Sequence, residues 1–180
     1  MSRAAKRIPK AVELDAEIDE ITNSIKVVGT SRELTTEVIR VLSVQRKQTK
    51  KKQWGFNWHL ELDQPGREVY KLIAVEAPAI IHGLICLEDL HDHVFAHLLE
   101  SASFNRGRDK KHSGVPANLV AYACQLSFDK GYLGYVSFLP KSALVDHYSM
   151  TLGAKTLGNQ RMMIDTLAAK RLVDAYFNKH

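Results

Sequence analysis

Cysteine is the first scarcity: the 180-residue chain holds two, Cys86 and Cys124, each inside an apolar segment. A disulfide framework needs more cysteines in a smaller, secreted chain. The pattern therefore predicts two buried thiols in a reducing cytoplasm. Long hydrophobic runs are also missing, and none approaches the roughly 20 residues that span a bilayer. The N-terminus is basic but leads into Val12-Glu-Leu-Asp-Ala-Glu, which is not the apolar stretch of a secretory signal. No linker rich in Ser, Gly or Pro interrupts the chain, and no internal repeat is visible. The expectation is one domain over residues 12–180 behind a short arm. That arm, residues 1–11, carries four Lys or Arg and no acid.

What is present is ordinary for a globular protein, with 45% apolar and 25% charged residues. A net charge of +5 permits contact with nucleic acid, but suits a polyphosphate cofactor or an acidic partner equally well. Leu14, Ile18, Ile21 and Ile25 recur at helical spacing and predict a helix over 12–25. A short strand over 25–28 and a second helix built on Leu34, Val38, Ile39, Val41 and Leu42 follow. Gln45 to Lys52 is cationic and polar. Phe56, Trp58, Leu60 and Leu62 then alternate with polar residues, the period of a half-buried strand. Further strands are expected over 69–75, 80–87 and 94–99, an antiparallel meander.

The second half alternates more regularly. A helix over 116–130 opens on proline and closes at Gly131, both favoured at those ends. A strand over 133–139, a helix over 141–152, a strand over 162–164 and a helix over 167–177 complete the chain. The order predicts an α/β (α+β) fold, a mixed and mostly antiparallel sheet flanked by helices.

The unit from Val94 to Lys130, strand then polar loop then helix, carries most of the chemistry. A helix N-terminus offers unpaired N–H groups and the positive end of the helix dipole, which together hold phosphate. Gly114 lets backbone approach a ligand, and Arg106, Arg108, Lys110, Lys111 and His112 surround it with cationic donors. A solvated basic loop ahead of a helix cap has the same composition, so these residues alone leave both readings open.

Lys111-x-x-Gly114-x-Pro116-Ala117 resembles the Arg/Gln-x-x-Gly-x-Gly/Ala signature of the GNAT N-acetyltransferases. Downstream, Leu144-Val-Asp-His-Tyr148-Ser-Met-Thr-Leu152-Gly153 is similar to that family's helix ending in Tyr-x-x-Leu-Gly. Together the likeness covers roughly residues 80 to 165. It implies a single-domain GNAT acyltransferase over 12–180, with acetyl-coenzyme A as cosubstrate and no metal. The coenzyme would be held by Ala102 and Ser103, by Lys111, His112, Ser113, Gly114, Val115, Pro116, Ala117 and Asn118, and by Lys141. Two departures stand out. Pro116 replaces a small Gly or Ala and removes one amide donor, and Lys141 stands where the family often has Asn. Ala154 replaces an aromatic residue after Leu152-Gly153.

The implied reaction is direct transfer of the acetyl group to a primary amine on a small molecule, protein or peptide. It needs a base for the amine, donors for the oxyanion and an acid for the departing thiolate. Tyr148 matches the family's general-acid tyrosine, and on composition alone would be a core aromatic. Glu100 is the candidate base, with Glu88 its rival, though a strand carboxylate is more often a solvated group. His82, His91, His93 and His97 are residue types that bind zinc, but a site needs three or four converging ligands and none is expected. Residues 45–52 lack interleaved stacking aromatics, so nucleic acid is not the expected partner. Contact with an anionic acceptor is the more natural use of those cations, with Trp54, Phe56 and Trp58 beside them. A homodimer is compatible with the sequence. The alternatives are a non-catalytic GNAT-fold protein that binds a coenzyme A derivative or a partner, and a toxin that acetylates aminoacyl-tRNA.

Overall fold

A computed structural model describes residues 12–22, 24–50 and 52–177. The basic arm over residues 1–11 lies outside them. The strands are β1 (Ile25–Val27), β2 (Glu33–Leu34), β3 (Thr36–Val41), β4 (Arg67–Ala74), β5 (Ala77–Asp89), β6 (Val94–Ser101), β7 (His112–Ser113), β8 (Val136–Phe138), β9 (Lys155–Leu157) and β10 (Arg161–Ile164). The helices are α1 (Trp58–Leu62), α2 (Val115–Asp129), α3 (Val145–Leu152) and α4 (Thr166–Tyr176). The architecture is mixed α/β, as the order of elements implied. Seven strands form the main sheet in the order β3-β4-β5-β6-β8-β10-β9, while β2, β1 and β7 form a small second sheet.

Among the described residues every strand pairing in the main sheet is antiparallel except β6 with β8, the two strands that α2 connects. That parallel pair is short. It runs through Val94–Val136, Phe95–Ser137 and Ala96–Phe138 and then ends, leaving the second half of β6 without a strand on that side. Successive residues of β5 point to opposite faces, and both faces are covered. Ile85 and Leu87 enter the larger core with Leu119 and Cys124 of α2, Leu152 of α3 and Leu172 of α4. Leu84 and Cys86 enter a smaller core with Val41, Trp54, Trp58 and Leu98. Burial on two faces is the reason this strand reads as a continuous apolar run. Cys86 and Cys124 are both buried free thiols.

Three expected elements are different. Residues 12–22 form no helix: they run extended, with Leu14 bridged in parallel to Pro140. The second expected helix, built on Leu34 to Leu42, is replaced by strand, chiefly β3. Thr36, Val38, Ile39 and Val41 are β-branched and stiff at χ1, and β4 supplies six register partners, from Ala74 to Val69. Residues 58–62 are helix, not strand. Asn57 caps them by accepting a hydrogen bond from the Leu60 amide at 3.3 Å, a local signal that outweighed the alternation. Strand β9 was not anticipated. Among the described residues no helix is long and apolar enough to cross a membrane.

Candidate functional site

The helix α2 starts from a left-handed residue, Gly114, at φ 90°. A Cβ there would lie 2.6 Å from the Thr22 Oγ1, so only glycine fits. Of the first amides of α2, Pro116 has none, and the Asn118 amide already donates to the Gly114 carbonyl at 3.1 Å. The Gly114 amide donates to the Asp19 carboxylate at 3.0 Å, and Lys110 Nζ donates to its other oxygen at 2.9 Å. An anion thus stands at the helix start already, supplied by the chain itself.

Asp19 belongs to residues 14–22, a strap that lies where β6 and β8 part. Leu14 donates to the Leu139 carbonyl at 2.7 Å and accepts from the Lys141 amide at 2.8 Å. The Tyr148 hydroxyl donates to the Ala16 carbonyl at 2.7 Å, and His147 Nε2 accepts from the Ile18 amide at 2.8 Å. Ser113 Oγ donates to Glu20 at 2.8 Å. At the far end the Thr22 amide donates to the Tyr176 hydroxyl at 3.2 Å. Leu14 and Ile18 are buried in the larger core. The strap behaves as an extra strand on the C-terminal end of β8, anchored by two apolar side chains and two carboxylates.

Between the strap and β6 remains a cavity of about 420 Å³. Its walls include Ala16, Glu17 and Asp19, then Leu99, Glu100 and Ser101 of β6, with Arg106 and Pro116. Glu100 is only 3% exposed. Its carboxylate accepts from the Gly55 amide at 2.5 Å, the Phe56 amide at 3.4 Å and Trp58 Nε1 at 2.6 Å. Arg106 Nη1 stands 3.8 Å away. Tyr148 is 1% exposed, its ring edge-on to Phe138 at 5.3 Å. Burial first, then Asp15 and Glu17 of the strap, push its phenol well above the ordinary range, so it is a neutral donor.

The expected coenzyme residues divide. Ser113, Gly114, Val115, Pro116, Ala117 and Asn118 come together, all buried, at the start of α2. Lys141 joins the strap through its backbone, its side chain outward. Lys111 is exposed, and His112 hydrogen-bonds Asn105 at 2.8 Å. Ala102 and Ser103 face a different cavity, of about 1000 Å³, on the other side of Arg106. Glu88 lies on β5 opposite Phe95, at the other end of β6 from Glu100.

The histidines do not converge. His82 is buried against Asn105, 3.1 Å away, and edge-on to His112. His93 bonds Asp92 and Ser137, and His91 projects from a turn. Among the described residues no three or more metal-ligating side chains group together.

The strap was missed by sequence reasoning. Its buried residues Leu14 and Ile18 stand four apart, the spacing of a helix as well as of this extended path. The unbroken acidity around them, Glu13, Asp15, Glu17, Asp19 and Glu20 against a basic loop, was the available signal. Comparison with known proteins finds no family model and no curated relative that matches the chain.

Proposed function

We propose that this protein is an acetyl-coenzyme A-dependent N-acetyltransferase of GNAT type. One observation carries the reading: among the described residues the only parallel strand pair of the main sheet separates after Ala96 and Phe138, and Leu99, Glu100 and Ser101 beyond it share a cavity with Pro116 at the start of α2. That is the kind of splayed, anion-receptive groove the resemblance calls for. Asp19 at the Gly114 amide argues that the groove start selects negative charge, which fits a pyrophosphate.

The coenzyme supplies the acetyl thioester. The amides of Gly114, Val115 and Ala117, one fewer than usual because of Pro116, hold phosphate oxygens. The second half of β6 offers backbone N–H groups to the thioester carbonyl. Tyr148, kept neutral by burial, gives its proton to the leaving thiolate, and the displaced Ala16 carbonyl turns to water. Glu100, at the wall of the smaller cavity, accepts the amine's proton directly or through water. A reducing cytoplasm suits the two buried thiols.

Isothermal titration of acetyl-coenzyme A tests the reading, together with free-thiol release across an amine library. No heat at millimolar ligand sinks it. A second reading is favoured by the filled groove: a non-catalytic GNAT-fold protein whose strap permanently occupies the coenzyme site. Thiol release with any amine excludes that alternative.

A further inference from the structure

We propose that the 1000 Å³ cavity beside β6 receives an acceptor that carries an anionic group in addition to its amine. This names the substrate class and rests on the acetyltransferase reading. Four cations line the cavity, Lys47, Lys52, Lys71 and Arg106, and no carboxylate does. Lys71 Nζ is held by a neutral partner, the Gln48 side-chain oxygen, at 2.8 Å. Among the described residues neither Lys47 nor Lys52 has an ion-pair partner. Arg106 faces Glu100 at 3.8 Å, but among the described residues the three lysines in this concave wall have no counter-charge, so they repel one another and focus field lines on the space between them. The unpaired charge calls for an anion from outside.

The cavity also points at the chemistry. Gly55, whose amide donates to Glu100, is part of its wall, and Arg106 lines both this cavity and the smaller one that Glu100 faces. Trp54 and Phe104 give it an apolar side. An acceptor anchored through a carboxylate or phosphate on the lysines presents its amine toward Glu100.

The test uses glutamate and phosphoserine as anionic amines, with serinamide and spermidine as controls. Binding is measured by titration, and transfer by thiol release. An anionic amine is expected to bind better, and the Lys47→Gln/Lys52→Gln double variant to weaken it about tenfold while serinamide is unaffected. Glutamate, which offers carboxylates alone, and phosphoserine, which adds a phosphate, show whether a phosphate strengthens the anchor. Equal binding of all four amines, or no effect of the double variant, overturns the inference. Selective binding of anions without thiol release keeps the anion site and removes the transferase reading. Thiol release that favours spermidine does the reverse.

A separate observation, the hydrogen bonds of residues 14–22, carries a second inference: we infer that the strap is an intramolecular competitor for the coenzyme groove. It also rests on the acetyltransferase reading. The strap takes the Gly114 amide, the Tyr148 hydroxyl and the free backbone beyond β8, so coenzyme and strap exclude each other. Coenzyme A titrated into the full chain and its Asp19→Ala variant is expected to bind the variant several-fold more tightly. Hydrogen exchange on the unsubstituted chain should show the Leu14, Ile18 and Thr22 amides losing protection as coenzyme A is added. Equal affinity with unchanged protection overturns the strap inference and leaves the transferase. Absence of binding to both chains, and to a Leu14→Ser/Ile18→Ser variant, overturns both.

Discussion

The Asp19 carboxylate and the Gly114 amide, 95 residues apart in sequence, meet at 3.0 Å at the start of α2. The contact exists because Gly114 is left-handed and has no side chain to keep the strap away. Gly114→Ala places a Cβ 2.6 Å from the Thr22 hydroxyl at a φ that L-residues disfavour. It is expected to cost roughly 1–3 kcal/mol, read as a lower urea midpoint at unchanged m-value. An unaltered midpoint would show that the strap yields without loss.

Tyr148→Phe separates chemistry from packing. The ring stays against Phe138, while the Ala16 carbonyl loses its donor, so stability should fall by about 1 kcal/mol. Turnover at saturating acetyl-coenzyme A should fall by about 100-fold. Because burial holds the phenol protonated far into the alkaline range, the proposed transfer by the unsubstituted chain should show no alkaline loss of kcat from this residue below pH 10. Unchanged turnover removes Tyr148 from the reaction.

Glu100→Gln tests whether the buried carboxylate holds a loop, moves a proton, or does both. The amide side chain offers one accepting oxygen where two now meet the Gly55 and Trp58 donors. An unpaired buried donor costs about 1–3 kcal/mol, seen as a lower melting temperature. Loss of kcat beyond what occupancy of the folded state explains identifies Glu100 as the base. Retained kcat in the folded fraction assigns it to the loop alone.

Acid should weaken the fold in a defined window. Burial, with His112 beside it, holds His82 down to about 4, whereas the unfolded imidazole takes its proton near 6.5. The unfolded state therefore binds more protons between these values. The stabilisation is complete above pH 6.5 and is lost as pH falls from 6.5 to 4, by at most roughly 3 kcal/mol. His97, also held near 4 by burial and then by Arg67, acts in the same window. Urea unfolding at pH 7.5, 5.5 and 4.5 gives the slope, and His82→Gln should reduce it.

Much of the second half was legible along the chain. The helix start at Pro116, the stop at Gly131 and the Leu152-Gly153 end are local devices, set by a missing amide and by left-handed glycines. The runs at β4, β5 and β6 were legible because both sheet faces are buried, which leaves little room for polar residues. The first half was not. Val38 and Val41, three apart, would share one face of a helix but enter opposite cores from β3, and only pairing with β4 makes that segment a strand. Trp58 looked like a strand residue until its indole N–H needed a buried carboxylate, and Glu100 supplies that from 42 positions away.

The sequence by itself determined the class of fold, the thiols as free and buried, and the cationic loop leading to a helix start. These follow from periodicity, capping and charge, which act between near neighbours. The tertiary structure alone decided what meets that helix start. Among the described residues the extended acidic strap has no backbone–backbone hydrogen bonds within itself, so its path depends on distant donors and acceptors at Leu139, Lys141, His147 and Tyr148. The lysines facing one cavity are likewise a product of folding, since Lys47, Lys52 and Lys71 come together only when β4 and residues 43–53, which lie between β3 and α1, close on each other.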